Sequence, residues 1–341
     1  MIKCIVWDLD NTIWEGIISE DKELKIRTEI IDILEVLRCK GVVSTICSKN
    51  DFSVVKKKLV ELNIWNCFVY PQINWRNKTD NIKDFISKFH FRTENIAFID
   101  DSLFERDLVK DTFKNITVVD GSNISEIKKM IGSINCNYNT SEAKNRVAMY
   151  KIEEKRINDS IQFSGSHLEF LKKCNIAVAI RKAVKSDIVR MLDLIERTNQ
   201  LNTMGIYYSE ERIVELIAQK NFDVLIANVY DNYGDYGDSG LIIAKKEDKQ
   251  YIIELLVVSC RLLGKGISQT LLSCAYERAL DNKCEKLICE FLKTKYNRQL
   301  RMLFSMNGMQ LSDVQNEKCR YVMGCRESKI DYPEWIHIKM S

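Results

Sequence analysis

The first 120 or so residues alternate short apolar runs with amphipathic segments, and few folds accept that rhythm. Residues 2–7, 42–47, 67–70, 96–99 and 116–119 read as strands, and residues 28–40, 51–62, 79–89 and 103–112 between them read as helices. Parallel neighbours need a long crossover, and a right-handed helical crossover packs back onto the sheet it left. The pattern therefore predicts a parallel sheet with helices on both faces.

Polar motifs stand where these runs end. Asp8, Asp10, Asn11 and Thr12 follow the first strand, Ser48 follows the second, Lys78 opens a helix, and Asp100-Asp101 follow the fourth strand. Open α/β sheets bind ligands at the carboxyl ends of their strands, so all four motifs converge on one edge. A carboxylate attacks phosphorus once a divalent cation shields the two anions and a second carboxyl group handles the proton. Asp8 and Asp10 are two positions apart and supply these two groups. Ser48 and Lys78, with Asn11 and Thr12, are candidates for binding phosphate, and Asp100 and Asp101 for completing an oxygen shell around Mg²⁺ with Asp8 and Asp10.

In order and chemistry these motifs resemble the haloacid dehalogenase (HAD) superfamily of phosphatases and phosphotransferases. The resemblance implies that Asp8 is the nucleophile and becomes an aspartyl phosphate. Asp10 is then the general acid/base, and its backbone carbonyl also touches the metal. Asp8 and Ser48 are 40 positions apart, and Ser48 and Lys78 are 30 apart. The predicted helices and strands fill both intervals, so there is no room for a large cap domain.

Composition excludes several other classes. Lys and Arg total 51 against 48 Asp and Glu, a net charge of +3 that advertises no nucleic-acid surface. The aromatic and basic residues around Trp65, Trp75, Arg76 and Lys78 read as loop anchors against the sheet, not as a stacking platform. No apolar run reaches the length of a membrane span, and the opening strand leaves no space for a signal peptide, so a cytoplasmic protein is expected. Twelve scattered cysteines with only three histidines read as reduced, mostly buried thiols, not as disulfides or a zinc site.

The expected domain layout is a phosphatase-type domain at 1–135, a helical connector at 136–174 and a second domain at 175–341. In the second domain residues 223–229 and 241–245 read as a hairpin joined by a Gly and Asp-rich turn at 231–240, and a strand over 252–258 runs into Ser259-Cys260-Arg261-Leu262-Leu263-Gly264-Lys265-Gly266 and then a helix. The backbone N–H groups of such a turn can cradle a phosphate. The R-x-x-G-x-G spacing resembles the acyl-CoA loop of GNAT acetyltransferases, and residues 297–309 resemble that fold's following helix and turn. The resemblance makes Arg261, Gly264, Lys265 and Gly266 candidates for binding pantetheine or CoA. Glu254 stands as a possible base or as a buried strand glutamate, and Phe304 occupies the place where many such enzymes carry a proton-donating tyrosine. The expected fold class is α/β: a capless HAD-type Rossmann-like parallel sheet followed by a GNAT-like α+β domain.

Taken over nearly its full length, the chain looks like the FkbH-like proteins of polyketide pathways. The residues carrying this resemblance are Ile46-Cys47-Ser48-Lys49-Asn50, Ile73-Asn74-Trp75, Phe98-Ile99-Asp100-Asp101, Arg197-Thr198-Asn199-Gln200 and Ser259-Cys260-Arg261. It implies an enzyme that takes a glyceryl unit from a small phosphorylated substrate, 1,3-bisphosphoglycerate, and loads it on the phosphopantetheine arm of an acyl carrier protein. An acyl relay would want a thiolate, for which Cys47 and then Cys260 are the candidates. Glu15-Gly16, Asp51 and Ser102-Leu103 depart from the family's usual residues and leave the substrate open. Two other readings stand beside this one: a plain Mg²⁺ phosphatase whose second domain binds a partner or a CoA-like ligand, and a binding module with a relict site.

Overall fold

A computed structural model describes residues 1–21, 24–134, 145–326 and 329–340. The chain divides into two compact units, Met1–Asp159 and Ser160–Ser341. The first four residues of the helix expected from 141 to 158 lie outside the described residues. Among the described residues, no helix is long and apolar enough to cross a membrane.

The first unit contains strands β1 (Cys4–Trp7), β2 (Trp14–Glu15), β3 (Lys25–Ile26), β4 (Val43–Ser48), β5 (Gln72–Ile73), β6 (Ile96–Asp100) and β7 (Thr117–Asp120). Its helices are α1 (Thr28–Cys39), α2 (Phe52–Glu61), α3 (Lys78–Phe89), α4 (Leu103–Thr112) and α5 (Ile124–Gly132), with α6 (Arg146–Gln162) running across the division between the units. Five strands form a parallel sheet in the order β5-β4-β1-β6-β7. This is the Rossmann-like layout expected of a HAD-type domain.

Strand alternation explains the two core layers. Ile5 and Trp7 of β1 pack with Ile30, Leu34, Leu59 and Ile127 from α1, α2 and α5. Cys4 and Val6 point the other way, toward Ile82, Phe85 and Val109 from α3 and α4. Between β1 and β4 the described residues hold α1 and the two-stranded β2–β3 ribbon, with nothing of domain size. The strand expected at 67–70 is reduced to a single bridge between Ser44 and Phe68 after a 3₁₀ turn at Trp65–Cys67. Tyr70 adopts a left-handed conformation and Pro71 follows it, so ladder pairing resumes only at β5.

The second unit holds α7 (His167–Cys174), β8 (Ile176–Lys182), α8 (Ile188–Arg197), α9 (Glu210–Ala218), β9 (Phe222–Asp231), β10 (Gly234–Glu247) and β11 (Gln250–Val258). Then follow α10 (Ile267–Asp281), β12 (Lys286–Leu292), α11 (Arg298–Met306), β13 (Gln310–Gln315), β14 (Lys318–Gly324) and β15 (Ile336–Met340). They build an eight-stranded sheet in the order β13-β14-β12-β11-β10-β9-β8-β15, antiparallel except at β11–β12 and β8–β15. This is the expected GNAT-like α+β arrangement. The Gly and Asp-rich stretch at 231–240, read from sequence as a turn, is largely strand: β9 and β10 pair through it with two register shifts that absorb its irregular residues.

Phe98 of β6 is fully buried in the layer under α3 and α4. Phe98→Ala should lower stability by about 3–5 kcal/mol in denaturant unfolding. A loss below about 1 kcal/mol would contradict the packing described here.

Candidate active site

The strand order sets the site. β4, β1 and β6 are neighbours, so their carboxyl ends carry Ser48, Asp8 and Asp100 side by side. The Asp8 N–H still donates to Ile99 O (2.9 Å), which ties the first residue past β1 to β6. Lys78 opens α3, and its Nζ donates to Asp8 Oδ1 (2.7 Å) and Asp100 Oδ2 (2.6 Å). All three side chains are buried, with Asp100 wholly so.

Asp8, Asp100 and Asp101 offer oxygen atoms that all lie within 4.8 Å of one another. Burial pushes the Asp8 carboxyl up to about 7, and the neighbouring Asp100 charge adds to the rise while Lys78 and Ser48 oppose it. Burial likewise raises Asp100 against the pull of Lys78 and the Ser102 N–H. Burial alone would lower Lys78, but the two carboxylates outweigh it and hold its ammonium charged. One ammonium does not balance three carboxylates. Oxygen-only donors with excess negative charge in a low-dielectric setting suit a hard divalent cation, so these residues fit Mg²⁺.

The Asp10 carboxylate is held apart from this cluster. Its Oδ1 accepts from Trp14 Nε1 (2.8 Å) and the Ile18 N–H (3.1 Å), and its Oδ2 accepts from Asn50 Nδ2 (2.9 Å). These three bonds fix both oxygens of the Asp10 carboxylate in place. Asn50 also donates to Ser48 Oγ (3.1 Å) and so links two of the four motifs. In the sequence, Asn50 is marked only by its place two residues past the strand-end serine.

Of the two expected phosphate contacts in this loop, Asn11 has its side chain engaged within it, and the Thr12 hydroxyl is buried without a hydrogen-bond partner. Asn11 adopts a left-handed conformation and accepts the Gly16 N–H (3.0 Å), which closes the turn after Asp10. Thr12 is fully buried, and a Cβ added to Gly121 would lie 2.3 Å from its Oγ1 and 2.9 Å from the backbone of Asp100 and Asp101. Only glycine permits that approach. Behind the acidic pair, Arg106 Nη1 donates to the carbonyls of Asp100 and Asp101 (2.7 Å each), and Arg27 donates to Gly121 O (2.7 Å). No sequence motif marks either arginine, because each acts here on backbone carbonyls.

Cys47 does not present a relay thiol. It is buried among Val43, Val69 and Ile82, its Sγ donates to Lys78 O (3.6 Å), and burial pushes the thiol up to about 12. In the second unit the turn after β11 also departs from expectation. Lys265 is turned inward, where its Nζ donates to Arg261 O (2.8 Å) and sits 4.5 Å over the Tyr236 ring, so it does not point at an external phosphate. Arg261 Nε donates to Ser259 Oγ (3.3 Å). Gly264 is open on its Cβ side, whereas Pro333, Trp335 and Ile336 crowd Gly266. Cys260 is half-buried in the single 3₁₀ turn of Cys260–Leu262. Glu254 is the extra residue of a β11 bulge opposite Ile243 and Ala244, its carboxyl raised by burial and by Glu290. Phe304 packs edge-on against Phe291.

No protein-family model matches this chain, and no curated protein matches it. Among solved structures it is similar to the N-terminal part of the Bacteroides fragilis protein BF1531, which contains a phosphatase domain complexed with Mg: 25% identity over 38% of this chain and 40% of that one, TM-score 0.36. It is also similar to the PaiA N-acetyltransferase from Thermoplasma acidophilum in complex with coenzyme A (17% identity, 43% of this chain, 98% of that one, TM-score 0.36). A third likeness is to an IAA acetyltransferase from Bacillus cereus (19% identity, 43% and 99%, TM-score 0.33). The match spans less than half of the Bacteroides chain's length.

Mg²⁺ at about a hundred times its Kd should add about 2.7 kcal/mol to stability and raise Tm by several degrees. Asp100→Asn should remove that rise in a thermal scan, and an equal rise in both proteins would place the ion elsewhere. Gly121→Ala should cost about 1–3 kcal/mol and weaken the Mg²⁺-dependent rise, read in the same scan.

Proposed function

We propose that the chain is a Mg²⁺-dependent phosphatase of the HAD type that loads a glyceryl unit from 1,3-bisphosphoglycerate onto an acyl carrier protein in the cytoplasm. The observation that carries the phosphoryl-transfer part is the convergence of Asp8, Lys78 and Asp100 at one sheet edge, with Asp101 beside them. The carrier and the glyceryl unit rest on the resemblance of the residue motifs alone.

Asp8, Asp100 and Asp101 would hold Mg²⁺, which when bound shields the nucleophile from the negative charge of the phosphoryl group. The Asp8 oxygen not bonded to Lys78 attacks phosphorus, the P–O bond to the substrate's C3 oxygen breaks, and that oxygen takes a proton from Asp10. Water then attacks the aspartyl phosphate, gives its proton back to Asp10 and restores Asp8. Lys78 neutralises charge on the transferring group, and Ser48, held by Asn50, donates its hydroxyl hydrogen to a phosphoryl oxygen. At the other end of the substrate the carrier's thiol displaces phosphate from the acyl phosphate and forms the thioester. The balance is one bisphosphoglycerate, one thiol and one water giving one glyceryl thioester and two phosphates. With Cys47 buried and its thiol pushed up, acyl transfer goes directly to the carrier's thiol and not through that cysteine.

Burial of Cys47 and Lys265 also favours the second reading, a phosphatase whose other unit only recognises a partner. Incubation with Mg²⁺, 1,3-bisphosphoglycerate and a cognate carrier separates the two. A glyceryl adduct on the pantetheine arm by intact mass is expected, and phosphate release from an unmodified carrier would leave the phosphatase alone. In both readings Asp8→Asn should lower phosphate release by more than about a thousandfold. Turnover close to wild type in that variant would remove Asp8 from the mechanism.

A further inference from the structure

In the second unit the parallel ladder between β11 and β12 stops at Ile253 and Cys289. Yet β11 runs on to Val258 and β12 to Leu292, so the strands open into a wedge. A wedge inside a sheet exposes unpaired backbone N–H and C=O groups on both strands. An extended ligand with amides of its own, such as a pantetheine arm, binds such groups by adding as a strand.

Here those groups are taken by the chain itself. The Val258 N–H donates to Leu201 O (2.8 Å), and the Thr203 N–H donates to Leu256 O (3.0 Å). The Leu256 N–H donates to the Thr203 hydroxyl (3.0 Å). Across the wedge the Leu292 N–H donates to Thr203 O (2.9 Å), so Thr203 bridges both strands. Asn202 and Thr203 are 1% and 0% exposed, which leaves no solvent layer for a ligand to displace.

The segment is anchored on all sides. The Asn202 side chain donates to Ile195 O (3.4 Å) and Thr198 O (3.2 Å) and accepts the N–H groups of Met204 (3.0 Å) and Gly205 (2.8 Å). Buried Asn297 donates to Asn202 O (3.2 Å) and Leu292 O (2.9 Å), fastening the segment to the end of β12. The turn beyond β11 is closed in the same sense, since Trp335 Nε1 donates to Lys265 O (3.0 Å) and packs where a Gly266 side chain would stand.

We propose that residues 201–203 are a resident strand that closes the wedge between β11 and β12 to pantetheine and CoA thioesters. The second unit keeps the sheet of an acyl-thioester binder and fills its ligand slot with its own backbone. This proposal is independent of the chemistry assigned to the first unit.

Two measurements on the full chain test it. Calorimetric titration with CoA and with acetyl-CoA should show no binding up to about 1 mM, and a Kd below about 100 μM for either would overturn the proposal. Amide exchange should be slow at Leu256 and Val258 without any ligand. In Thr203→Val, which removes only the hydroxyl acceptor, exchange at Leu256 should quicken about tenfold. Ser259, whose N–H donates to Ser239 O on the opposite side of β11, should keep its rate. Fast exchange at Leu256 in the wild-type chain, or an unchanged rate there in Thr203→Val, would show that residues 201–203 do not fill the wedge.

Discussion

The structure of the first unit turns on one ammonium group held between two buried carboxylates. Lys78 reaches Asp8 and Asp100 at the same time, and that requires the ends of β1 and β6 to be neighbours with the start of α3 above them. Burying such charges is unfavourable for stability, and a buried ion pair is a poor reason for a fold to exist. With Asp101 added, the cluster carries more negative charge than Lys78 can balance. The arrangement makes sense as a site prepared for a cation and an anionic substrate, its charges already desolvated and aimed.

What keeps the carboxylates in place is largely backbone-directed. Arg106 grips the carbonyls of Asp100 and Asp101 from behind and also pairs with Asp120 at the end of β7. Arg27 pins the loop at Gly121, where the absence of a side chain lets Thr12 and the acidic pair approach. Asn50 joins the second strand end to Asp10. The reactive side chains come from strand ends, and the residues orienting them come from helices and loops that cross to those ends.

This division explains which parts of the site are legible in the sequence. Strand periodicity and the polar residue after each apolar run placed Asp8, Ser48 and Asp100 on one edge, because parallel βαβ units leave little choice of geometry. Lys78 was legible for the same reason. Arg27, Arg106 and Gly121 were not, since their partners are carbonyls and a neighbouring hydroxyl that no local pattern encodes. Lys265 misled because its charge in a glycine turn suggests phosphate, whereas the side chain folds back under Tyr236. The stretch at 231–240 misled because Gly and Asp mark turns by composition, yet paired bulges accommodate them in a long hairpin. The second unit shows the same limit at larger scale: no sequence pattern marks residues 201–203, and only the opened ladder between β11 and β12 gives them a strand's role.

The central claim is that Asp8 accepts a phosphoryl group. Acid quench of the enzyme during turnover with Mg²⁺ and 1,3-bisphosphoglycerate, followed by peptide mass analysis, tests it most directly. The account predicts one phosphoryl adduct, on the peptide containing Asp8 and discharged by hydroxylamine as an acyl phosphate must be. Turnover with no adduct on that peptide, or an adduct on another residue, would contradict it.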